Sequence, residues 1–134
     1  MMLRDRRGSV MIEFVAACLV LVAVFTGITE TALLIKDRIY LQRVARDGAR
    51  EAAITGNIEA GRYKAQDRAL QYFGNNKAYI GIDTEQYGNV EYITCSATYP
   101  HSLATGLGRM LTDKEVILNA KAVYGWYDKS TTYR

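Results

Sequence analysis

The sequence predicts an α+β chain: one long N-terminal helix crosses a membrane and continues as a stalk, and a short helix and a small antiparallel β-sheet follow it. Three observations predict this. Residues 14–28 carry no charge and are interrupted only by Thr26 and Gly27. Apolar and small residues then recur at helical spacing as far as Ala52. Two late segments, "VEYITCSATY" and "VILNAKAVYGWY", are rich in β-branched and aromatic residues, and the second alternates with the period of a strand.

A chain of 134 residues that spends one segment on a membrane keeps roughly a hundred for a folded part, and so builds a small core. Residues 8–29 contain one charge, Glu13. As a helix these 22 residues rise about 33 Å, enough to cross the ~30 Å hydrocarbon layer. Arg4, Arg6 and Arg7 precede the run, while Lys36, Asp37 and Arg38 follow it. That modest bias places the N-terminus in the cytoplasm and the larger C-terminal part outside. The formal net charge of +3 falls to +1 once the leader, with three arginines and one aspartate, is set aside. A nucleic-acid partner is therefore not expected.

A carboxylate at Glu13 inside an apolar run needs a reason, because an acid at a helix centre costs at least ~2.5 kcal/mol to insert. A secretory signal would end in a small-residue cleavage motif, and none of A-x-A form precedes Glu30. A lipoprotein signal would place its apolar run before the acylated cysteine, whereas most of the run follows Cys18 in "VAAC". One arrangement uses every feature: a short basic leader ending in Gly8, a cut before Ser9, and an acid four residues further on. An interfacial acid shallow enough to stay wet is the plainer alternative for Glu13.

The stretch "RRGSVMIEF" resembles the class III leader of type IV pilin-like proteins and, more narrowly, that of TadE-like minor pilins, or pseudopilins, of tight-adherence (Tad) pilus systems. The resemblance runs on through "TGITETALLIKDRIYLQRVARDGAREAA" and covers about the first 55 residues. Where many members of the family carry a proline shortly after the Glu-Phe pair, this chain has Leu19 and apolar neighbours. The resemblance implies processing between Gly8 and Ser9 by a prepilin peptidase, and pairing of Glu13, beside Phe14, with the N-terminal amine of a processed subunit. It further implies a pilin-like helix and a role in assembling a Tad or Flp-type pilus, and through it in surface adhesion and biofilm formation. The partners would be the membrane, sister pseudopilins, the major pilin and the pilus assembly platform.

Glu30, about 26 Å beyond Glu13 along an ideal helix, marks the outer membrane boundary. It reads as a solvated acid at the membrane exit, with subunit packing as the family-based alternative. Leu34, Leu41, Ala45, Gly48, Ala49 and Ala52 make a narrow stripe on which another helix can pack closely, and all of them but Leu34 are candidate subunit contacts. Arg43, Asp47 and Arg50 stand at spacings that allow a self-paired charged flank. A helix over 9–54 would be an elongated stalk rather than a core element.

"TGN" at residues 55–57 ends the stalk and supplies Asn57 as an N-cap for a second helix over 58–73, closed by "GNN". Ala65, Ala69, Leu70, Tyr72 and Phe73 give that helix a buried side. Strands are expected over 90–99, stopping at Pro100, and over 116–127, with a short edge near 79–82. On the last strand Val116, Leu118, Ala120, Ala122, Tyr124 and Trp126 share the core face. The chain thus divides into a leader (1–8), a transmembrane and stalk helix (9–55) and a small extracytoplasmic domain (56–134).

Catalysis has little support. His101, the single histidine, reads as a solvated turn residue with no second ligand at metal spacing. "GLG" at 106–108 lacks the rest of a phosphate loop. Cys18 and Cys95 read as free thiols, the latter a small buried hydrophobe, and most tyrosines as packing residues. No enzyme activity, cofactor or metal is expected. The rival to a pilin subunit is an uncleaved membrane-anchored protein whose distal domain binds a ligand outside the cell.

Overall fold

The computed structural model describes residues 5–74, 77–87, 90–104 and 115–126. Helix α1 (Asp5–Thr55) is continuous for 51 residues, about 76 Å. It starts at Asp5, four residues before the expected Ser9, because nothing in "DRRG" breaks a helix once the apolar run behind it has nucleated one. It ends at Gly56, whose φ of 67° is the left-handed conformation open to glycine, and whose N–H donates to Ala52 O.

Helix α2 (Ile58–Phe73) has the expected limits. Asn57 Oδ1 accepts from the Glu59 N–H at 2.9 Å, and Gly74 at φ 64° closes the last turn with its N–H on Leu70 O. The two helices lie against one face of a three-stranded antiparallel sheet: β1 (Tyr79–Tyr87), β2 (Val90–His101) and β3 (Val116–Trp126), in the order β1-β2-β3. The architecture is α+β. Both ladders run without a bulge, from Tyr79↔Thr98 to Tyr87↔Val90 and from Glu91↔Trp126 to His101↔Val116.

Two strand limits exceed the sequence expectation. β1 runs on to Tyr87 because the hairpin with β2 carries its ladder that far. β2 passes through Pro100 to His101 instead of stopping at the proline. Beyond Thr98 it has β3 alone beside it, so it is locally an edge, where a residue lacking an N–H is tolerated.

The core lies between helices and sheet: Leu41, Val44, Ala45, Ala49 and Ala52 of α1, Ala65 and Ala69 of α2, and Ile82, Ile93, Cys95, Ala97 and Ala120 of the strands. Leu118, Ala122 and Tyr124 pack at its rim, on the face that alternation assigns to β3. The distal half of α1 is therefore the central core helix, a correction to the free stalk expected from its length. Its small side chains explain this. A Cβ added to Gly61 would stand 2.6 Å from Gly48 O and 2.6 Å from Ala52 Cβ, so the two backbones touch where both helices carry glycine. At the open end of the pair Tyr40 stacks on Tyr72 at 4.7 Å, and Phe73 stacks on Tyr99 at 4.0 Å.

Candidate functional site

From Gly8 to Phe25 the proximal half of α1 is exposed along its whole length. Gly8, Ser9, Glu13, Phe14 and the residues up to Leu21 are all exposed, and a side chain on Gly8 or Gly27 would meet nothing within 4 Å. The helix is long and apolar enough to cross a membrane, and none of its most apolar window is buried by the rest of the chain. Its polar interruptions are satisfied internally. Thr26, Thr29 and Thr31 donate their hydroxyls to the carbonyls of Val22, Phe25 and Gly27 at 2.8–2.9 Å. These three threonines carry no unsatisfied hydroxyl on the apolar half.

Ser9 and Glu13 lie one turn apart on one face of this helix, about 6 Å along its axis. A peptide cut before Ser9 would turn its N–H into an ammonium at the end of an otherwise uncharged rod. The chemistry available here is ion pairing in a medium of low dielectric. An acid and an amine that meet there attract strongly and leave neither charge bare.

The other residues singled out by sequence are placed elsewhere. Leu41, Ala45, Gly48, Ala49 and Ala52 face α2 and the sheet of the same chain and are fully covered by them, so the helix that packs on this stripe is the chain's own α2. Glu30 is buried, not solvated as expected from its place at the membrane exit. Asp47 turns to Arg68 of α2 at 3.3 Å rather than to its neighbours on α1. Arg43 and Lys36 lie within 6 Å of the Tyr40 ring.

Sequence reasoning missed a pair. His101 is buried at the end of β2, and its Nδ1 sits 2.7 Å from Asp37 Oδ2 on α1, with the two side chains 7% and 16% exposed. The carboxylate accepts, so Nδ1 donates. Reading Pro100 as the end of the strand had turned His101 into a loop residue. No local signal marked the contact, since Asp37 lies 64 residues away in the chain. Gly61 was also missed. A glycine inside a helix costs about 1 kcal/mol against alanine, and that cost hints at a close backbone approach.

Cys95 is fully buried beside Gly48, and burial pushes its thiol up from 9.0 to about 11. Cys18 is exposed on the apolar half of α1, and both thiols are free. Among the described residues no group of three or more His, Cys, Asp or Glu is placed to hold a metal ion. The "GLG" turn falls outside the described residues.

Fold and site together define a class: a small α+β head on a single N-terminal apolar helix that fits a single-pass membrane anchor. Residues 8–50, the bare half of α1 and most of its buried half, match the family model for TadE-like protein, consistent with a TadE-like protein of Tad pilus systems. No curated protein and no solved structure matches the chain.

Proposed function

We propose that this chain is a minor pilin that serves in the assembly or priming of a Tad-type pilus, with its head held outside the cytoplasmic membrane by α1. Three segments would follow from this: a leader over 1–8 removed by a prepilin peptidase, a membrane and core helix from Ser9, and the head. The observation that carries the reading is the bare apolar half of α1 with one acid, Glu13, one turn beyond Ser9, inside the stretch that matches the TadE-like family. Cleavage frees the Ser9 amine, and the Glu13 carboxylate of one subunit pairs with the amine of another as each enters the assembly. The pair compensates the insertion cost of both charges and sets the axial register between neighbouring helices. Sister pseudopilins, the major pilin and the assembly platform are the partners in this scheme, and adhesion and biofilm formation are its outcome.

The mass of the native N-terminus, in cells with and without an active prepilin peptidase, tests the first step. A chain that begins at Ser9 only when the peptidase is active is the expected result. An N-terminus that keeps residues 1–8 in both would favour the uncleaved anchor. Glu13→Gln tests the second step: we expect normal cleavage but at least about tenfold less of the protein in pili or assembly complexes, the loss of roughly 1.4 kcal/mol.

A further inference from the structure

The two helices of the head carry exposed ridges of opposite charge. Helix α2 touches α1 at Gly48 and Ala52, and at about 100° per residue Arg46 and Arg50 stand nearly opposite those positions, exposed on the side away from α2. On α2, Glu59, Tyr63 and Asp67 recur every fourth residue, all exposed, on the side away from Gly61 and its contact with α1. Neither ridge is used within the chain. Among the described residues the side chains of Arg46, Arg50 and Asp67 have no hydrogen-bond or ion-pair partner, and Glu59 meets only the half-exposed Arg62 of its own helix, at 3.3 Å.

The ridges also match in height. The helices are antiparallel, with Tyr40 against Tyr72 and Ala52 against Gly61, which sets Asp67 level with Arg46 and Glu59 within about 5 Å of Arg50 along the axis. Copies anchored in one membrane share one orientation and one depth, so a neighbour displaced sideways can bring its α2 ridge to this α1 ridge with those levels kept. The other helix pairings oppose like charges. Setting α1 on α1 puts Arg46 and Arg50 beside the same residues of the neighbour, and setting α2 on α2 puts Glu59 and Asp67 beside theirs. We infer that the Arg46 and Arg50 ridge of α1 docks on the Glu59, Tyr63 and Asp67 ridge of α2 in a second copy of this chain. Arg46 pairs with Asp67, and Arg50 reaches Glu59 across the exposed Tyr63 ring. Such a contact is heterologous, so it closes into a ring or propagates as a filament.

The inference rests on the single membrane orientation of the proposed function and on no part of leader processing. It is tested with two differently tagged full-length copies co-expressed in bacterial membranes, both carrying Cys18→Ser. One also carries Gln42→Cys on the α1 ridge and the other Leu70→Cys on the α2 ridge, exposed positions at one level that leave every ridge charge in place. A short bis-maleimide should link the mixed pair and neither copy to itself. Adding Asp67→Lys to the Leu70→Cys copy should cut the linked fraction about fivefold, the effect of reversing one exposed charge pair, and Arg46→Glu in the other copy should restore it. Linkage of either copy to itself, linkage only to another membrane protein, linkage unmoved by the charge reversal, or no linkage in any combination overturns the inference. A chain recovered in the soluble fraction overturns the membrane reading, and the shared orientation with it.

Discussion

One helix, α1, has one half left bare and one half packed into the head, and the two halves are built to opposite rules. From Val10 to Ile28 it presents large exposed side chains, among them Phe14, Leu19, Leu21 and Phe25. From Leu41 to Ala52 its buried positions are mostly alanine and glycine. A fluid hydrocarbon adapts to any apolar shape, so bulk there adds buried area at no packing penalty. A second backbone does not adapt, so residues must shrink wherever α2 comes close. The bare half exposes far more contiguous apolar surface than a soluble monomer tolerates. The buried half encloses a core whose largest fully buried side chains are Leu41, Ile93, Val44 and Cys95.

Substitutions that add bulk should separate the halves most sharply. Gly61→Leu drives a side chain into Gly48 O and Ala52 and should cost the head about 3 kcal/mol or more, whereas Gly27→Leu should leave head stability unchanged. Urea unfolding of the full chain in detergent, followed by circular dichroism, measures both; equal effects would break the comparison. Next in size is His101→Ala, which strands the Asp37 carboxylate at the junction of the two halves and should cost about 2 kcal/mol in the same measurement.

The Cys95 thiol sharpens the contrast through pH. In the unfolded chain it ionises near 9.0, and in the head near 11. Between those values the unfolded state binds fewer protons, so the head loses stability as pH rises, by up to about 1.4 kcal/mol per unit, with no slope from this group below 9. The slope difference between the wild type and Cys95→Ala, read from urea unfolding across that window, isolates the effect. The smallest change belongs to the rim. Arg68→Ala removes a half-exposed partner of Asp47 and should shift stability by about 0.5 kcal/mol or less.

How far the sequence could be read depended on how local the signal was. The limits of α2 were legible because Asn57 and Gly74 cap it through their own neighbours. The core face of β3 was legible because alternation with a period of two is a property of the strand itself. His101 was not, since its partner Asp37 lies 64 residues away and proline looked like a stop. Nor was the burial of Glu30, because an acid at the end of an apolar run resembles an acid left in water.

By itself the sequence determined that an apolar rod with one acid follows a short basic stretch, and that a capped helix and alternating strands come after it. These are statements about hydrogen bonding and side-chain period within a few turns. Only the tertiary structure decided that the upper half of the rod is the core of the head, and that its small-residue stripe is covered from within the chain. Those outcomes depend on which surfaces meet once distant segments are brought together, and contact between distant surfaces leaves no periodic trace along the chain.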